Sequence, residues 1–348
     1  MLTPLCRTLG IAVPIIQAPM NWATDSRLVA AVSNAGGLGV LGPNAGGEPA
    51  STDPNVVGER LRRQIVATRQ ATRKPFAVNV PIGRGAARAF SDRSIEVLIE
   101  EEVAIAIIVM GSPDVYTERL KKAGVYVIQA VAAVKHARKA ESCGVNAVVA
   151  EGFEAGGHSG FDQIPTSTLV SMIVEACNIP VIAAGAIVDG TGVVGALARG
   201  AQAAYMGTRF MATVECPIHD DVKNAIVAAG DAATISWGHK TGIARTLKNR
   251  FTDQYNEREF AGASPQELHA FIGDYAKMPG GRRVAALRGG DLEDGEVYVG
   301  AGAGLIRDVV TCAEVIERTM REARATLANL NAIFDAPAEA RQRYAAPA

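Results

Sequence analysis

Two hydrophobic rhythms take turns along this chain. Short runs of Val, Ile, Leu and Ala recur, and each is followed by a longer stretch whose apolar positions fall three and four residues apart. The first pattern predicts buried parallel strands and the second predicts amphipathic helices packed over them. Strands are predicted at residues 13–20, 38–41, 76–80, 105–110, 125–131, 147–150, 181–184 and 203–206. Helices are predicted between them at 26–35, 55–72, 94–102, 116–123, 132–143, 168–177 and 190–199. Gly36 and Gly37 stop the first of these, as glycine just past a helix end does. A strand count of eight, with short connections and helices between, is the number that closes a TIM (β/α)8 barrel.

The rhythm ends near Glu215. Residues 217–300 are more charged and read as helical pieces separated by breaks such as Met278-Pro279-Gly280-Gly281, which predicts an inserted helical lobe beside the barrel mouth. Gly300-Ala301-Gly302-Ala303-Gly304 is a glycine-rich return, and residues 311–330 predict a long amphipathic helix packed back on the barrel. The expected division is therefore a barrel at 1–216, the lobe at 217–300, and a return plus C-terminal helix at 301–335. The last dozen residues, rich in Ala, Pro and Arg, are expected to be poorly ordered.

Composition narrows the function classes. A 48% hydrophobic fraction over 348 residues supplies a sizeable core, and 36 glycines against 5% aromatics suit an α/β protein. The net charge of -1, with no basic run, gives nucleic acid and anionic membranes nothing to bind. Cys6, Cys143, Cys177, Cys216 and Cys312 are scattered and form no CxxC, so neither a disulfide framework nor a metal site is expected. With no signal-peptide pattern and no apolar run near the ~18 residues of a membrane span, the expected location is the cytoplasm.

Candidate chemistry collects where strands end. Val148-Val149-Ala150-Glu151-Gly152-Phe153-Glu154-Ala155-Gly156-Gly157-His158 carries a carboxylate at a strand end, a glycine turn and then a histidine. His158 is the candidate catalytic group. Imidazole exchanges protons near neutral pH, and Gly156 and Gly157 let backbone approach a ligand. His136, His219, His239 and His269 have no such setting and read as structural or surface residues. Glu151 suits a ribityl hydroxyl, a cation or an ion pair inside the barrel, and Glu154 suits bracing of the loop. Ala184-Gly185 and Met206-Gly207-Thr208 end the seventh and eighth strands, where backbone N–H groups commonly grip phosphate in this fold. Gln17 and Asn79 end the first and third strands with amides, which suit the in-plane edge of an isoalloxazine ring or plain loop bracing. No GxxxxGK[ST] and no strand–GxGxxG–helix unit is present, so a nicotinamide cofactor has no domain of its own.

Six ordered segments carry a resemblance. They are Pro14-Ile15-Ile16-Gln17-Ala18-Pro19-Met20, Asn34-Ala35-Gly36-Gly37-Leu38-Gly39, Pro75-Phe76-Ala77-Val78-Asn79, Glu151 to His158, Pro180 to Gly185, and Met206-Gly207-Thr208-Arg209-Phe210. In these the chain resembles the flavin-dependent nitronate monooxygenases, once called 2-nitropropane dioxygenases, and the related enoyl-acyl carrier protein reductases II. The resemblance implies non-covalent FMN in a TIM barrel, with phosphate around Gly185 and Gly207-Thr208. It implies ring contacts near Ala18, Met20 and Asn79, with His158 facing the substrate. Gln17, Glu151, Gly156, Gly157, Ala184 and Met206 complete the expected cofactor set.

The leading expectation is oxidation of alkyl nitronates or nitroalkanes with O2 to carbonyl compounds and nitrite. The alternative is an NAD(P)H-dependent reductase of enoyl thioesters or quinones, with the nicotinamide as a visiting substrate. Ala244-Arg245-Thr246-Leu247-Lys248-Asn249 and the Glu-Gly-x-Glu-Ala-Gly-Gly-His form look more like the reductases, and no Lys follows the fifth strand as in some monooxygenases. Ala18-Pro19 and Gly185-Ala186 stand where Gly-Gly pairs are frequent, and the second change constrains the phosphate loop. A flavin-free phosphosugar isomerase or lyase also accounts for the glycines and His158, though not for the ordered match. The expected partners are a small-molecule substrate and O2, with a homodimer left open.

Overall fold

A computed structural model describes residues 2–273 and 280–335. Met278 and Pro279 of the expected lobe break, and the C-terminal dozen, lie outside the described residues. The barrel strands are β1 (Ile15–Gln17), β2 (Gly39–Leu41), β3 (Phe76–Pro81), β4 (Ile105–Val109), β5 (Tyr126–Val131), β6 (Ala147–Glu151), β8 (Val181–Ala184) and β9 (Ala203–Met206). A short β7 (Gly157–His158) lies outside the barrel and joins β10 (Thr234–Trp237) and β11 (Ala244–Leu247).

All barrel pairings are parallel, in the order β1-β9-β8-β6-β5-β4-β3-β2. The two ends of that order meet. Gln17 N donates to the Leu38 carbonyl at 2.9 Å and Leu38 N donates to the Ile15 carbonyl at 3.0 Å, so the sheet closes on itself as a TIM barrel.

Closure sorts the strand residues by parity, because successive side chains point to opposite faces. Ile16, Leu38, Val40, Ala77, Ile107, Ile128, Val149, Ile182, Ala184 and Tyr205 pack together inside the barrel. Ile15, Leu41, Val78, Ile108, Val148, Ala183 and Met206 pack outward under the helices. The helix Pro4–Leu9 adds Leu5, Cys6 and Leu9 to the inner cluster. Thr3 starts it by accepting from Cys6 N, and Gly10 stops it at φ +70°.

The C-terminal helix runs Cys312–Phe334 and packs on the helices Gly190–Ala198 and Ser26–Asn34, as expected. Gly190 allows the close crossing, since a Cβ there would overlap backbone of Thr319 and Ala323. The segment expected to be a helical lobe is not helical throughout. It holds the helices Asp220–Val227, Arg250–Phe260, Pro265–Ile272 and Gly281–Gly289, together with the antiparallel hairpin β10–β11. Trp237, Ala244, Phe251, Tyr255 and Leu268 form a separate small core there. The hairpin went unread because its charged strand Ala244–Leu247 lacks an apolar run and gains its burial from that core.

Candidate active site

The C-terminal rim of the barrel gathers some of the expected residues and turns others away. Ala18, Asn79, Glu151 and Ala184 share the inward parity, and Tyr205 joins them. Gln17 has the opposite parity and is fully buried: its Oε1 accepts from Val40 N at 2.9 Å and its Nε2 donates to the Ala18 carbonyl. Both ends of that amide brace the barrel seam, so the side chain has no free edge for a ring. Met206 also points outward, and Met20 packs against the same outer cluster. A strand-end position in sequence does not tell inside from outside until the pleat is known.

Asn79 Nδ2 donates to the Ile107 carbonyl at 2.8 Å, and among the described residues Oδ1 has no partner. The Glu151 carboxylate likewise makes no hydrogen bond or ion pair among the described residues, and burial pushes it up to about 7. The Tyr205 hydroxyl is buried and has no partner among the described residues. Desolvation, and then the charge of Glu151, hold this phenol well above its ordinary range. A buried polar atom without a partner, as at the Tyr205 hydroxyl, costs stability and leaves that group able to bond a ligand.

The glycines divide in the same way. Gly185 holds φ +122° beside Thr166, whose hydroxyl donates to the Ala184 carbonyl at 3.3 Å. Gly207 is open, with Ala18 Cβ at 3.6 Å from where its own Cβ would stand. Thr208 Oγ1 accepts from Gly300 N at 3.0 Å, which leaves the hydroxyl proton free to donate. Gly156 approaches protein backbone: a Cβ there would lie 2.7 Å from both Gly300 N and the Val299 carbonyl carbon. The Gly-Gly step therefore lets two segments of this chain pack together. Glu154 braces the loop, as expected for its bracing role: its Oε2 accepts from Thr166 N at 2.9 Å at the start of the helix Thr166–Ala176.

Ala186 follows Gly185 at φ +51°, a left-handed conformation that an L side chain resists. Ala186→Gly removes roughly 1–2 kcal/mol of strain and adds roughly 0.5–1 kcal/mol of unfolded-state freedom. The melting temperature of Ala186→Gly is expected to rise by about 2 °C. A lower value would show that the packed return at Gly302, which meets the Ala186 carbonyl, relies on the methyl-bearing residue.

His158 sits on β7, paired with Ala244 of β11. The residue is exposed, with the Tyr298 ring edge-on to its imidazole at 5.6 Å between centroids. Arg283 covers the Tyr298 ring at 4.0 Å, donates to its hydroxyl, and pairs with the buried Glu296 at 3.2 Å. Desolvation lowers the His158 pKa from its ordinary value, Arg283 lowers it further, and Glu296 opposes them. The imidazole is therefore neutral at neutral pH and able to take a proton. Tyr205, Arg283, Glu296 and Tyr298 join the candidate site, and the sequence reading missed them. Only Tyr205, a lone hydroxyl in an apolar strand, carried a local signal.

A profile described as nitronate monooxygenase matches residues 3–93 and 82–322. A (3aS,4S,5R,7aS)-5-hydroxy-7a-methyl-1-oxo-octahydro-1H-indene-4-carboxyl-CoA dehydrogenase of Mycobacterium tuberculosis is 31% identical, over 96% of this chain and 99% of its own. A nitronate monooxygenase of Paraburkholderia phytofirmans is 32% identical, over 92% of this chain and 95% of its own. The structure of FabK from Thermotoga maritima superposes with a TM-score of 0.84 at 37% identity, covering 96% of this chain and 99% of that one.

Proposed function

The chain belongs to the nitronate monooxygenase family, and from that premise we propose that it is an FMN-dependent oxidoreductase of acyl thioesters. The observation that carries the thioester reading is the seat of His158. The candidate base is hydrogen-bonded through β7 to β11, the lobe segment whose sequence looks like the reductases. The carboxyl-CoA dehydrogenase similar over nearly its whole length supports the same substrate class. This reverses the order of the two sequence-based expectations, in which nitronate oxidation led.

The mouth residues fit FMN by their own chemistry. Glu151, Tyr205 and Asn79 Oδ1 are polar groups without protein partners among the described residues, matched to hydroxyls and to a ring edge. Gly185, Gly207 and Thr208 would hold the phosphate. Bound FMN would supply the two-electron exchange with the β-carbon, with NAD(P)H as the visiting donor in the reducing direction.

The chain's own part is proton handling. Neutral His158 takes or returns the proton on the carbon next to the thioester carbonyl. Arg283 lies close enough to disfavour a charged imidazole and to favour a developing enolate. Tyr298, held by Arg283, limits the ring's rotation through the edge contact.

Nitronate oxidation is the second reading, favoured by the family match and the Paraburkholderia relative. The same histidine would then work at the carbon bearing the nitro group, with O2 as co-substrate. Anaerobic visible spectra of the FMN-loaded protein separate the two. Bleaching by NADH or NADPH, with recovery on adding an enoyl thioester, is expected. Bleaching by a nitronate alone, with no response to either nicotinamide, would transfer the proposal to the second reading. The barrel, lobe and return boundaries, the cytoplasmic location and a homodimer stand with this proposal.

A further inference from the structure

The inner wall of the barrel mouth carries a pairing that phosphate and ring contacts do not use. Glu151 ends β6, Ala184 ends β8 in register with it, and Tyr205 on β9 is in register with Ala184. All three have the inward parity, and Ala184 and Tyr205 pack in the inner cluster, so a carboxyl and a phenol flank one small alanine across the mouth. Tyr205 is only 9% exposed, and its hydroxyl has no hydrogen-bond partner among the described residues. The Glu151 carboxyl makes no protein bond among the described residues, and its charge acts on that phenol. The two groups stand at neighbouring inward positions of the rim, one a donor and the other an acceptor, with no hydrogen bond between them among the described residues.

Leaving a phenol buried without a partner destabilises the ligand-free protein. A chain that needed only core volume here would lose nothing with phenylalanine. We propose that Tyr205 is a cofactor-positioning residue: its hydroxyl and the Glu151 carboxyl together receive one hydroxyl of a polyhydroxylated chain, the ribityl chain of a flavin. An alcohol suits this pair because it accepts from the phenol and donates to the carboxyl through one oxygen. Gly185 and Gly207 follow Ala184 and Met206 directly, so a phosphate held at those glycines would bring the chain attached to it beside this pair. The inference rests on the flavin reading, and its test separates the two.

The purified apoprotein is titrated with FMN, riboflavin and lumiflavin, which carries a methyl group in place of the ribityl chain. Binding is followed by quenching of flavin fluorescence for the wild type and for Tyr205→Phe and Glu151→Gln. Tyr205→Phe is expected to weaken FMN and riboflavin about tenfold, the loss of one hydrogen bond, and to leave lumiflavin unchanged. The melting temperature of the Tyr205→Phe apoprotein is expected to rise by about 2 °C, because an unsatisfied group has been removed. Unchanged FMN affinity in Tyr205→Phe, or an equal loss for lumiflavin, would overturn the assignment while leaving flavin binding intact. Failure of the wild type to bind any of the three flavins would remove the flavin reading itself.

Discussion

His158→Ala lowers kcat by roughly 10²–10⁴-fold, the range associated with loss of a positioned general base. FMN affinity is expected to stay near the wild-type value, because the imidazole packs edge-on against Tyr298 and its strand pairs with the lobe strand β11. The wild-type pH profile carries the same assignment. Desolvation and Arg283 hold the His158 pKa below its ordinary value of about 6.5, so the neutral base predominates at pH 7. The acid limb of kcat/KM is therefore expected to have its midpoint below about 6.5 and to vanish in His158→Ala. Arg283→Met should move that midpoint upward, since a lowering influence has gone. A His158→Ala enzyme with full turnover would end the role given to this residue in both the thioester and the nitronate readings.

Gly152→Ala is expected to be the most damaging single-methyl change near the site. The added Cβ would overlap the Thr166 side chain and Cα and stand 2.5 Å from Thr166 N. Backbone cannot yield as a flexible side chain does, so the helix Thr166–Ala176 must shift. That movement disturbs Thr166, which also supports Gly185 and the Ala184 carbonyl. A loss of roughly 3 kcal/mol or more follows, read as a fall of at least about 6 °C in melting temperature. FMN affinity falls with it, since the phosphate turn at Gly185 loses its neighbour. Gly195→Ala is the control. Gly195 lies in the helix Gly190–Ala198, and an added methyl would find nothing within 4 Å, so the change should be neutral or stabilising by up to about 1 kcal/mol. Equal damage from both would mean that steric overlap at Thr166 is not the cause.

Sequence and fold agree wherever local periodicity is enough. Buried parallel strands need uninterrupted aliphatic runs, and amphipathic helices need their own spacing. The eight strands, the helices between them and the docked C-terminal helix were therefore legible without any contact. So were Glu151 at the end of β6 and the glycines at the ends of β8 and β9, because turns and rims have a local composition.

What the sequence could not decide was facing and partnership. Gln17 and Asn79 both sit near strand ends with the same side-chain chemistry, yet barrel closure turns the first outward onto Val40 N and the second inward. Gly156 looked like room for a ligand and is room for Val299 and Gly300, a contact made across more than a hundred residues of chain. The strand β11 has no apolar run of its own and exists because β7, β10 and a small aromatic core meet it. His158 was visible as a residue, but its lowered pKa comes from desolvation at the mouth and from Arg283, against the opposing charge of Glu296. Periodicity is a property of neighbours in the chain. Parity, desolvation and orphaned hydroxyls such as Tyr205 depend on neighbours in space, and only closure of the barrel supplies those.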